Sequence, residues 1–124
     1  MRAGRVAVML AMATLVAGCG AQQSSTLPEE LVGVWRTPTP PYADRYFELQ
    51  PRAISFGTGG GSAPTHVIDS VEMTRQGHQT LYTVTYRDGG QRYRWSFLYD
   101  PAGKSIRFTN RIAIVWTKGQ KNDR

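Results

Sequence analysis

The sequence predicts an all-β domain over residues 31–118: a small antiparallel up-and-down meander of about eight strands, closed or nearly closed into a barrel. Three observations predict it. Apolar and polar residues alternate over short runs, which is the period of a half-buried strand and not of a helix. Gly, Pro, Asn and Asp punctuate those runs every few residues, leaving no stretch for a convincing helix. The connections are short, which favours antiparallel neighbours, and closing such a meander removes the edges that otherwise invite aggregation. An open, strongly curved sheet or a small sandwich is the alternative architecture.

The strands follow in order. The first is read over Leu31 to Thr37. Tyr46 to Gln50 and Ala53 to Phe56 come next, broken at Pro51, and the fourth lies near Thr65 to Met73. Thr80 to Arg87 and Gln91 to Tyr99 flank Asp88-Gly89-Gly90, whose glycines supply the positive φ that a tight hairpin requires. Asp100-Pro101-Ala102-Gly103 makes the following turn, and Asn110 divides the last pair, Ser105 to Thr109 and Arg111 to Lys118. Residues 119–124 form a polar tail.

Faces are legible on three strands. Tyr82, Val84 and Tyr86 alternate with Thr83 and Thr85, and Tyr93, Trp95, Phe97 and Tyr99 alternate with Arg92, Arg94, Ser96 and Leu98, so one aromatic face points inward. Ile112, Ile114 and Trp116 are expected to do the same in the last strand. The face of Tyr93, Trp95, Phe97 and Tyr99 is a candidate lining for an apolar ligand cavity, although a small barrel also needs such residues to fill its interior, and filling is the favoured reading.

The N-terminus differs from the rest. Arg2 and Arg5 precede Val6 to Val16, an apolar run with Thr14 as its polar residue, too short to span a bilayer, which takes about 20 residues. Leu15-Val16-Ala17-Gly18-Cys19 resembles the lipobox of bacterial lipoproteins. The resemblance implies a signal peptide over residues 1–18, cleavage between Gly18 and Cys19, and a diacylglycerol and an N-acyl chain on Cys19. Cys19 is the only cysteine, so no internal disulfide is available to an exported chain and acylation disposes of a free thiol. Each buried methylene contributes about 0.8 kcal/mol, so several acyl chains hold firmly where one does not. Gly20 stands where the lipoproteins of enteric bacteria use aspartate for inner-membrane retention, which favours the outer membrane, facing the periplasm. Residues 19–30, small and polar, read as a lipidated flexible tether.

Removing residues 1–18 takes away Arg2 and Arg5 and leaves 13 basic against 9 acidic side chains, a net charge of +4. The charges are scattered, which reads as a solvated surface, and an export signal disfavours nucleic acid. Arg87, Arg92 and Arg94 flank the Asp88-Gly89-Gly90 hairpin as a candidate basic patch for anionic lipid or an acidic envelope partner. The loop Thr37-Pro38-Thr39-Pro40-Pro41-Tyr42 reads as a stiff connector, with a preordered binding surface as the alternative.

Gly33-Val34-Trp35 resembles the Gly-x-Trp element of lipocalins and related calycin barrels. The resemblance implies that Trp35 closes one barrel end and packs near an arginine from a late strand, for which Arg111 is the candidate, all in structural roles. The region is shorter than a typical lipocalin, so its loops and cavity would be reduced.

Catalytic and metal readings find no support in the residue pattern. In a strand Asp69 faces away from His66, and Glu72 lies farther along, so His66, Asp69 and Glu72 do not converge. His78 follows Gly77 at an expected turn. No Ser occupies a nucleophile elbow, and Gly57 to Ser62 shares only its glycine content with a phosphate loop, lacking the Lys-Ser/Thr ending and a following helix. The expected protein is therefore a lipid-anchored, non-catalytic binding or interaction module of the cell envelope, with no metal and no cofactor beyond the acyl chains. A lipocalin-like carrier of a small apolar ligand is the alternative, and a hydrolase assembled from distant loops the third reading.

Overall fold

The computed structural model describes residues 22–58 and 63–119. The expected signal peptide, Gly18, Cys19, the glycine loop from Gly59 to Ser62 and the tail from Gln120 lie outside the described residues. Among the described residues the strands are β1 (Gln22–Ser24), β2 (Gly33–Arg36), β3 (Arg45–Leu49), β4 (Ala53–Thr58), β5 (Thr65–Gln76), β6 (Gln79–Asp88), β7 (Gln91–Asp100), β8 (Ser105–Phe108) and β9 (Arg111–Lys118). From β2 onward each pairs antiparallel with its sequence neighbour, and β2 meets β9 through Trp35↔Lys118 and Arg36↔Thr117. The result is a closed eight-stranded up-and-down barrel, with β1 added outside it on β5.

The β6–β7 hairpin holds an unbroken register from Thr80↔Tyr99 to Asp88↔Gln91. Its two-residue loop is Gly89 and Gly90, at φ 59° and 82°, the pair of positive angles that lets a tight turn follow the strands' own twist. The four described or partly described connections at this end of the barrel are the proline loop 37–44, residues 59–64, Gly89-Gly90 and Thr109-Asn110. The opposite end carries the 3-10 turn Glu29–Leu31, the Gln50-Pro51-Arg52 turn, Gly77-His78 and residues 101–104.

The core is built from the inward set that strand alternation selects. Trp35, Leu49, Ile54, Val84, Phe97 and Ile106 are wholly buried, Phe47 nearly so, and Leu31 joins them from the 3-10 turn. The Phe47 ring lies 5.1–5.4 Å from those of Trp116, Trp95 and Phe108 and 6.2 Å from Trp35, the spacing at which edge and offset contacts between rings are favourable.

Three details depart from the sequence reading. The segment read as a tether docks on the barrel from Gln22 onward: β1 pairs Gln22↔Met73 to Ser24↔Val71, Leu27 is buried, and its N–H donates to Pro51 O at 2.8 Å. Its short polar composition hides the one apolar residue that anchors it. Leu31, read as the start of the first strand, ends the 3-10 turn and plugs the barrel instead. In β9, Ile106 pairs with Trp116 but Phe108 with Arg111, so β9 carries extra residues there and its alternation is broken. Ile112 is consequently more than half exposed, against the expectation, while Ile114 stays partly buried and Trp116 fully so. Arg107 donates to Ile112 O at 2.9 Å, satisfying a carbonyl of the irregular stretch.

Candidate functional site

The two barrel ends differ. At one, Trp35 donates its indole N–H to Leu31 O at 2.9 Å and sets its ring at right angles to Tyr99. Lys118 lies across this end: Nζ donates to Glu30 O at 3.0 Å and Val32 O at 3.1 Å and stands 6.0 Å from the Trp35 ring. Gly33, at φ 145°, makes room for the lysine stem, since a methyl there would fall 2.5 Å from Lys118 Cδ. The cation beside Trp35 is thus Lys118, not Arg111. β9 runs from Arg111 at the open end to Lys118 at the closed one, so the register that pairs Trp35 with Lys118 puts Arg111 at the far end of the barrel.

At the open end a recess of about 250 Å³ is lined by Tyr42, Arg45, Phe47, Phe56, Phe108 and Trp116, together with Tyr46, Gly57 and Thr58. Strand alternation explains the lining, because Arg45 shares the inward face of Phe47 and Leu49, and Phe56 pairs with Phe47 across β3 and β4. Tyr42 enters from the proline loop, which turns back through Tyr42 N–H to Thr39 O at 2.8 Å and contains a cis Pro40-Pro41 bond. The guanidinium carbons of Arg45 and Arg111 stand 5.2 and 5.7 Å from the Tyr42 ring centre. Neither arginine has a carboxylate within 4 Å among the described residues. The indole Nε1 of Trp116 is buried without a hydrogen-bond partner among them.

The cavity residues named from sequence do not line this recess. Phe97 and Tyr99 belong to the filled core, Trp95 packs between Phe47, Phe56 and Phe108, and Tyr93 sits at the rim, 42% exposed and stacked on Tyr86. Interior filling prevails below the mouth because those alternating rings are what close the barrel's lower part. The recess draws on β3, β4, β8, β9 and the proline loop, and pairing alone brings these together. Trp116 was expected inward from its alternation with Ile112 and Ile114, whereas Phe56 and Phe108 went unread, and the signal that could have found them is their parity with the buried Ile54 and Ile106.

Arg87, Arg92 and Arg94 do share an outer face, but it is not a free basic patch. A bulge between Ile68 and Ser70 leaves Asp69 unpaired and directs its carboxylate to Arg87 Nε at 2.8 Å and Arg92 Nε at 3.4 Å. Arg94 meets Glu72 at 3.4 Å, and Gln23 of β1 donates to the same carboxylate. The acids of β5 face the basic strand β7 across β6, which local sequence does not reveal. His66 turns inward, 5.5 Å from the Tyr86 ring, so His66, Asp69 and Glu72 stay apart, and His78 lies exposed in the β5–β6 turn. Among the described residues no three His, Cys, Asp or Glu side chains are placed to hold a metal ion.

Burial pushes the Tyr82 phenol up to about 12, with Glu30 and Tyr99 adding to the effect. Burial likewise raises Tyr86 and Tyr99, helped by Asp88 and Tyr93 for the first and by Glu30 and Asp100 for the second. All three remain neutral phenols at physiological pH.

These features define a class: a closed up-and-down β-barrel with one plugged end and one recessed aromatic end. Compared with family models, curated proteins and solved structures, the chain matches none.

Proposed function

We propose that this protein is a lipid-anchored, non-catalytic binding module of the cell envelope that receives an apolar group in the open end of its barrel. The observation that carries the reading is the aromatic lining of the open-end recess of about 250 Å³: at the other end Leu31, Trp35 and Leu49 are wholly buried, and the recess of about 310 Å³ outside them is bordered by the charged Glu30, Lys104 and Lys118 beside Trp35 and Tyr99. The open-end volume is small beside ordinary ligand pockets of about 300–1,000 Å³, so the alternative of a lipocalin-like carrier is limited to a small ligand.

The anchor reading adds an orientation. Cys19 is three residues from Gln22, a reach of about 11 Å at most. Because β1 runs antiparallel to β5, its Gln22 end lies toward the Gly77-His78 turn, on the side of Trp35 and Lys118. Acyl chains on Cys19 would hold the closed end near the membrane, with the recess facing away, toward the periplasm for an outer-membrane lipoprotein. The partner is then a soluble molecule or an envelope component reached from the aqueous side.

Intact mass tests the anchor: the expected species starts at Cys19 and carries acyl mass, and a chain retaining residues 1–18 or lacking acyl mass refutes it. A titration with hydrocinnamyl alcohol, a neutral aromatic probe, tests the recess. Shifts confined to residues around Trp116 and Phe56, lost in Phe56→Ala, are expected. Saturating probe with no shift there refutes the binding reading.

A further inference from the structure

Two sets of arginines on this barrel differ in what they meet. Those on the outer face, Arg87, Arg92 and Arg94, are each matched to Asp69 or Glu72. Those at the mouth, Arg45 and Arg111, rest on the Tyr42 ring with no carboxylate in ion-pair reach among the described residues, the adjacent Asp44 included. A guanidinium laid against an aromatic ring keeps its in-plane N–H donors directed outward, and those donors fit an oxyanion. A second, independent observation points to the same chemistry. Trp116 is 4% exposed and lines the recess, yet its indole N–H is buried with no acceptor among the described residues. Indole nitrogen is a donor only, and with almost no accessible surface in this conformation it takes an acceptor from the recess only when the rings over it shift. Trp35, by contrast, has its N–H satisfied by Leu31 O.

Size narrows the class further. A recess of about 250 Å³ equals the liquid volume of about eight waters, room for roughly ten non-hydrogen atoms and not for a long acyl chain. The rings of Phe47, Phe56, Phe108 and Trp116 make the lining predominantly apolar, which suits an aromatic or branched aliphatic body.

We infer that the open end binds a small organic acid, its apolar body against Phe56, Phe108 and Trp116, its carboxylate or equivalent oxyanion beside Arg45, and an acceptor oxygen on Trp116 Nε1. Arg111, on the same Tyr42 ring, adds to the positive field at the mouth. The inference rests on the reading of the recess as a binding site, and it names what that site selects.

The test uses the intact acylated protein in nanodiscs of zwitterionic lipid at neutral pH, isotope-labelled in its tryptophan indoles. It is titrated with hydrocinnamate, hydrocinnamyl alcohol and the corresponding amine. Hydrocinnamate is expected to bind about tenfold more tightly than the alcohol, as one added charged hydrogen bond implies. It should move the Trp116 indole N–H resonance, identified by its loss in Trp116→Phe. Arg45→Gln is expected to bring acid and alcohol within about twofold, Arg111→Gln to have a smaller effect in the same direction, and Arg92→Gln, whose arginine is held by Asp69, to leave the preference intact. Equal binding of acid and alcohol overturns the inference while leaving the recess as an apolar site. Absence of binding by every probe overturns the recess reading and the inference with it. A preference for acid that survives in the Arg45→Gln/Arg111→Gln double variant also overturns the assignment. Both arginines are exposed, so these variants test binding without disturbing the core.

Discussion

Replacing Gly33 by alanine tests how the closed end of the barrel is made. Gly33 has φ 145°, an angle that costs a residue with a Cβ about 1–3 kcal/mol. The new methyl would also meet Lys118 Cδ at 2.5 Å, and since the obstacle is the middle of a flexible side chain, the lysine will move before the backbone does. Moving it breaks the Nζ bonds to Glu30 O and Val32 O at 3.0 and 3.1 Å. These bonds are solvent-exposed, so their loss costs about 1 kcal/mol together. Gly33→Ala is therefore expected to destabilise the domain by about 2–4 kcal/mol, measured by urea unfolding followed through tryptophan fluorescence with an unchanged m-value. Lys118→Ala alone should cost about 1 kcal/mol, and in the Gly33→Ala background close to nothing, because the displaced lysine has already lost those bonds. A Gly33→Ala variant within about 0.5 kcal/mol of wild type, or strict additivity of the two substitutions, refutes this account.

Two further predictions concern the core. The Tyr82 phenol has its folded value pushed from 10.0 to about 12, so above pH 10 the unfolded chain releases this proton while the folded chain keeps it. Stability from this residue is fully present below pH 10 and is lost as pH rises to about 12, amounting to about 3 kcal/mol. Urea midpoints measured through that window should fall less steeply in Tyr82→Phe, with Tyr86 and Tyr99 leaving a residual slope of the same sign, and parallel curves for the two proteins count against the assignment. Leu27→Ala tests whether the N-terminal segment is part of the fold: a residue 4% exposed should cost about 2–3 kcal/mol on truncation, whereas a tether residue would cost under about 0.5.

What the chain shows about itself is chiefly periodic. The strands from β3 to β8, and the hairpin at Gly89-Gly90, follow from alternation and turn chemistry, because both are set by residues next to one another in sequence. The inward parity of Tyr82, Val84, Phe97, Tyr99 and Trp116 was legible for the same reason. The docking of β1 was not, since three exposed residues, Gln22 to Ser24, owe their strand to the edge of β5 and not to their own pattern. Nor was the exposure of Ile112, because the irregular pairing that breaks β9's alternation is a property of β8 and β9 together.

The candidate site divides along the same line. Sequence alone picked out Trp35 and the clustered Arg87, Arg92 and Arg94, but the partners of each were decided by register. Asp69 and Glu72 pair with the cluster from β5, one strand from Arg87 and two from Arg92 and Arg94, and Lys118 takes the place by Trp35 for which Arg111 was the candidate. Sequence determines which residues alternate and where the chain can turn, as those depend on local backbone geometry. Tertiary structure decided which end of the barrel is plugged, that Arg45 and Arg111 meet over Tyr42 and where the recess lies, because each depends on side chains brought together only when β2 meets β9 and the sheet closes.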